Sequence, residues 1–225
     1  MTILTPATIL SRVQRTFGDE AEIQVTTADV IAWINDAQRE CVMQLENLLQ
    51  NTTTIAITAQ ARDYTLPTEL LTLQSVAYKT TLDVNASFYP LRYLNPKEFT
   101  EYMNPGYDGK DLGYGTPQVY TRGYVEGKIS FYPIPDSSVA QARIVYSRYS
   151  FDINDIIGSL DLPEYLHQYV LEYCLMKAYE MDENWEASDR KAQYVQSTLD
   201  FNNNRESWFG REVYPSVVAT SEDYL

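Results

Sequence analysis

Cysteine is scarce in this chain, with two residues, Cys41 and Cys174, in a total of 225. That excludes a disulfide scaffold and suits a reducing compartment. Histidine is scarcer still: His167 stands alone, so the usual Cys/His zinc sites cannot be assembled and any imidazole chemistry must use that one ring. Long apolar runs are missing too, none nearing the roughly 18 residues of a spanning helix. The N-terminal MTILTPATIL lacks the basic and apolar regions of a secretory signal. The expectation is a soluble intracellular protein with no membrane partner.

Positive charge is the other shortage. Lys and Arg number 17 against 31 Asp and Glu, a formal net charge of −14. Nucleic-acid affinity comes largely from cations that neutralise phosphates, so free-standing DNA or RNA binding is not expected. The acidity has two readings. One is solubility through self-repulsion; the other is a wall that lets DNA pass without sticking.

What is present suits one domain, or one domain carrying an inserted module. Apolar residues make up 44% of the chain, enough for a core at this length without staples. Tyrosine is abundant at 19 residues. Its ring favours both strands and protein interfaces, and composition supports the two equally.

The pattern divides into three parts with a tail. Over 1–51, Thr5-Pro6 starts a helix that Gly18 ends, and Thr27 starts a longer one striped by Val30, Ile34, Ala37, Cys41, Leu45 and Leu48/Leu49. Over 52–150 the period shortens. Strands are predicted at 52–58, 63–66, 70–78, 118–124, 128–132 and 141–149, with a short helix after Asn95 and a glycine-rich loop over 104–117. Over 151–201 helices return, striped first by Leu166, Tyr169, Val170, Tyr173 and Met176, then by Ala187, Lys191, Tyr194, Val195 and Leu199. From Asn202 to Leu225 periodicity lapses although Trp208, Phe209, Tyr214, Val217 and Val218 remain. The fold class read from this is α+β: N- and C-terminal helices forming a bundle, an inserted and mostly antiparallel β module, and an extended tail.

Catalytic patterns fail one after another. Cys174 lies seven residues beyond His167 on the same predicted helix, about two turns away and too far for a Cys–His pair. Both cysteines read as core residues. Asp152–Pro163 begins like a calcium loop, yet Ile156, Ile157 and Pro163 occupy positions that need an oxygen ligand, a glycine and a glutamate. Gly109-Lys110 is followed by Asp111 where a phosphate loop needs Ser or Thr. No catalytic residue, cofactor or metal is assigned.

Four segments carry a resemblance: Val30–Glu40 (VIAWINDAQRE), Ala61–Pro67 (ARDYTLP), Gly127–Asp136 (GKISFYPIPD) and Leu162–Glu183 (LPEYLHQYVLEYCLMKAYEMDE). In this order the chain resembles head-to-tail adaptor proteins of tailed bacteriophages, of the connector or tail-tubular-A type. The resemblance implies a structural protein, not an enzyme, at the head–tail interface of a virion assembled in the host cytoplasm. It implies a homo-oligomeric ring, commonly of twelve copies, beneath the portal protein. DNA would pass through its channel unbound, and a downstream tail or nozzle protein would attach below. The tail from Asn202 would then dock on the portal or a neighbouring subunit. Because Trp and Tyr are the usual anchors of such contacts, Trp208, Phe209 and Tyr214 are the candidate partner-binding residues, with Arg205 and Arg211 as lesser polar contacts. The alternatives are a peptidoglycan-degrading hydrolase and a Tyr-rich β binding module.

Overall fold

The computed structural model describes the backbone of residues 4–18, 24–45, 47–103 and 113–212, with side chains as far as Asn204. The chain forms two compact units, one from residues 1–48 and 150–225, the other from residues 49–149. The class is α+β, as expected, with helices in the first unit and mostly antiparallel sheets in the second.

In the helical unit, α1 (Pro6–Phe17) starts at Thr5, whose hydroxyl accepts the Thr8 N–H at 3.3 Å. It stops at Gly18, which takes the left-handed conformation at φ 63°. A glycine suits that position because it has no Cβ to clash. Helix α2 (Thr27–Gln44) is opened by a reciprocal pair in which Asp29 N–H donates to the Thr26 hydroxyl and Thr26 N–H to the Asp29 carboxylate. Two orphan donors of the first turn are thereby satisfied. The expected stripe to Leu48/Leu49 overshoots. The helix ends at Gln44, and the Leu49 carbonyl accepts the Arg148 N–H at 2.9 Å in the β unit.

A single 3₁₀ turn (Glu164–Leu166) leads into α4 (His167–Met181), numbered after a short α3 (Pro96–Met103) in the β unit. Helix α4 is buried almost all round: besides the expected stripe it hides Leu171, Cys174, Leu175 and Ala178. It packs against α1, α2 and α5, which makes it the central helix of this unit. Asp182–Asn184 breaks the chain, Glu183 taking φ 56°, before α5 (Trp185–Glu212) begins.

Helix α5 corrects two expectations. Its buried positions are Ser188, Val195, Leu199 and Asn202, spaced seven, four and three apart, while Tyr194 is exposed. The predicted extended tail is helical from Asn202 to Glu212. Polar residues at two stripe positions hid this continuation: Asn202 turns its amide back to the Thr198 carbonyl at 2.8 Å, which lets an asparagine stay in the buried row. Residues 213–225 lie outside the described residues.

The β unit is two sheets with a shared core. One has the order β1 (Gln50–Ala56), β10 (Gln141–Arg148), β3 (Leu70–Lys79), β4 (Tyr89–Pro90); the other has β2 (Asp63–Thr65), β8 (Lys128–Tyr132), β7 (Val119–Arg122), β5 (Arg92–Tyr93). Val76, Tyr78, Ile144 and Tyr146 from the first meet Tyr64, Tyr120, Ile129 and Phe131 from the second in one apolar cluster. The Tyr78 and Phe131 rings bridge the sheets at 6.5 Å. Within the predicted loop, 104–112 lies outside the described residues, but Tyr114–Gly115 forms β6, paired in parallel with β9 (Ile134–Pro135).

Candidate docking surfaces

The residues weighed for catalysis are fastened into the core. His167, at the head of α4, donates from Nε2 to the Leu162 carbonyl at 2.9 Å, and its Nδ1 has no partner among the described residues. Cys174 is fully buried, and burial pushes its thiol well above the ordinary range. A nucleophilic cysteine needs the opposite shift, toward thiolate. Cys41 is equally buried.

The faint calcium loop is likewise tied down by α2. Asn35 grips Ile153 twice, its amide donating to the carbonyl at 3.0 Å and its oxygen accepting the N–H at 2.9 Å. Gln38 accepts the Asp161 N–H at 2.7 Å, and Arg39 pairs with Asp152 at 2.5 Å. Asp155 accepts the Ile157 N–H, and Asp161 the Phe151 N–H. Each of these carboxylates already has a partner in the loop or on α2. Among the described residues no group of His, Cys, Asp and Glu is arranged to hold a metal ion, and no helix is long and apolar enough to cross a membrane.

Three of the segments behind the resemblance do such fastening. The segment at 30–40 supplies Asn35, Gln38 and Arg39. In the segment at 61–67, Asp63 accepts the Ser130 hydroxyl at 2.6 Å while the Tyr64 hydroxyl donates toward the Thr58 and Ala61 carbonyls at 2.9 and 3.0 Å. Burial raises the Tyr64 hydroxyl above its usual pKa, keeping it a donor. The segment at 162–183 supplies the His167–Leu162 contact.

Exposed aromatics offer different chemistry. Tyrosine divides between two roles in the β unit: Tyr64, Tyr78, Tyr120 and Tyr146 are buried, whereas Tyr89, Tyr93, Tyr102 and Tyr114 are exposed. The buried four lie on strands β2, β3, β7 and β10, as the strand-former reading expects. In the helical unit, Tyr194 and Phe201 stand exposed on α5 seven residues apart, Phe201 with 67% of its surface open. Of the sequence-predicted site residues, Arg205, Trp208, Phe209 and Arg211 fall on the last turns of α5, and Tyr214 lies outside the described residues.

The polar motifs of this α+β chain brace its fold, and its exposed aromatics are spread over both units. The family model described as SU10 adaptor protein matches residues 4–212, and the chain belongs to that family of phage adaptors. The match does not carry the finer tail-tubular-A label. No curated protein matches the chain.

Proposed function

We propose that this chain is a head-to-tail adaptor of a tailed phage, a structural subunit that forms a ring beneath the portal and extends the DNA channel toward the tail. The observation that carries this reading is the family match from residue 4 to residue 212, which spans both units. The net charge of −14 supports it, since DNA crossing a ring of such subunits is repelled by the wall. Twelve copies is the number that the resemblance implies.

The portal contact is assigned to the end of α5 and the residues beyond it. Trp208 and Phe209 are the anchors, Tyr214 a third, and Arg205 and Arg211 the polar rim. The exposed tyrosines of the β unit face the neighbouring subunit or the next tail component. The test is co-sedimentation of the full chain with purified portal rings, followed by electron microscopy of the complex. Binding with ring density below the portal is expected. Trp208→Ala should weaken it by about 2 kcal/mol or more, as loss of a hot spot does. Unchanged binding would move the contact elsewhere on the helical unit, and no binding to any portal would end the adaptor reading.

A further inference from the structure

Four strands end the two larger sheets, and three of them are short. Strands β4 and β5 are two residues long, β4 ending in Pro90, and β2 is three residues long with Pro67 close behind. Short edges, prolines and charges are the usual devices against unwanted pairing. Strand β1 has none of them. It runs seven residues, QNTTTIA, without proline or charge, and pairs with β10 in unbroken register from Gln50↔Ser147 to Ala56↔Gln141. Among the described residues no strand pairs with its other side.

The register tells which backbone groups that open side presents. The bonds Arg148 N–H to Leu49 O and Ile57 N–H to Ala140 O bracket the ladder, so the odd-numbered residues between them bond to β10. Gln50, Thr52, Thr54 and Ala56 therefore aim their N–H and C=O groups outward, and all four are exposed. The Asn51 side chain occupies the Thr52 N–H at 2.8 Å. The others await an extended chain.

We propose that β1 receives, as an added strand, residues 216–221 (SVVATS) from a second copy of this chain. Of the stretches beyond the described elements, 104–112 holds a proline, two glycines and three charges and suits no strand. The C-terminal stretch after Glu212 contains Ser216–Ser221, six residues without charge, proline or glycine and rich in β-branched side chains. Joining two uncharged edges also avoids bringing copies of −14 each into contact through their acids. Strand addition of this kind draws affinity from main-chain hydrogen bonds. The inference rests on the ring reading above and specifies one joint of that ring.

The test uses two proline probes in the full chain. Thr54→Pro removes an outward N–H while leaving the β10 side intact, a place where an edge strand tolerates proline; Val218→Pro spoils the added strand. A labelled peptide of residues 213–225 is titrated against the Val218→Pro chain, whose own tail cannot compete. Saturable binding is expected, about tenfold weaker when Thr54→Pro is also present and retained with Thr54→Val, which keeps the N–H. Equal binding to the edge-blocked chain, or none up to about 1 mM, overturns the proposal. Mixing Thr54→Pro chains with Val218→Pro chains should give hetero-pairs by mass photometry, since the first lends its tail and the second its edge. Absence of hetero-pairs assigns the strand to its own chain or to another protein and overturns the second-copy assignment. A Val218→Pro chain that still sediments with portal rings leaves the adaptor reading standing whatever the pairing result.

Discussion

The Tyr146 hydroxyl donates a 2.8 Å hydrogen bond to the Glu69 carboxylate, joining strand β10 to the residue that precedes β3. Glu69 is held below the ordinary glutamate value, first by its own backbone N–H and then by Tyr146. A lowered folded pKa means that the pair stabilises the fold above the unfolded value of 4.5. That contribution disappears as pH falls through the folded value. Glu69→Gln should therefore lower the urea midpoint at neutral pH, with the gap to the parent closing under acid conditions. A gap that stays constant down to pH about 3, below the ordinary glutamate value, would remove Glu69 from the acid response.

At the alkaline end the sign reverses. Burial raises Tyr78 and Tyr173 from 10.0 to about 12. Their neutral forms are favoured in the fold, so stability is fully present below pH 10.0 and declines as pH rises toward 12. Titration followed by tyrosinate absorbance should show a late-ionising fraction in the folded protein. Denaturant should abolish it.

Tyr169 is fully buried in α4, yet its hydroxyl finds no hydrogen-bond partner among the described residues. A buried polar group without a partner costs about 1–3 kcal/mol. Tyr169→Phe should leave stability unchanged or raise it by about 1 kcal/mol in a urea titration. A clear loss would mean that the hydroxyl has found a partner.

Asn35→Ala removes both hydrogen bonds to Ile153. With about 1 kcal/mol for each, the expected loss is about 2 kcal/mol. Hydrogen exchange should quicken at the Ile153 amide, while the amides of β10 stay as protected as before.

A truncation probe of the C-terminal segment is better placed after Glu212 than after Phe201. The earlier cut would remove buried Asn202 and the last turns of α5, mixing a folding defect with a docking one. Truncation after Glu212 should preserve the thermal unfolding midpoint and remove only contacts made by 213–225.

Local chemistry made much of this fold readable. Thr5, Gly18 and the Thr26–Asp29 pair act within a few residues of the helix ends that they set. The strand expected at 128–132 matches β8 residue for residue, with Ser130 as buried as Ile129 and Phe131 on either side of it. The sheet order was beyond reach, since β1 meets β10 across about ninety residues of sequence and only shared burial chooses that partner. Helix α5 past Asn202 was missed because its inward row includes Ser188 and Asn202, which no apolar stripe would include. Trp208 and Phe209 stand out by type, whereas Phe201 is interesting only once its exposure on the helix is known.

The β unit begins and ends on neighbouring strands, Gln50 lying opposite Ser147. Its residues 49–149 interrupt the helical unit, and an unstructured loop of that length would burden closure by roughly 4 kcal/mol of chain entropy. Once the β unit has folded, its paired ends act as a clasp and the helical halves meet as if joined by a short hairpin. The expected folding order is the inserted unit first, which shortens the search for the unit that contains it. A substitution that weakens the β1–β10 seam should slow assembly of α2 against α4, although it touches neither helix.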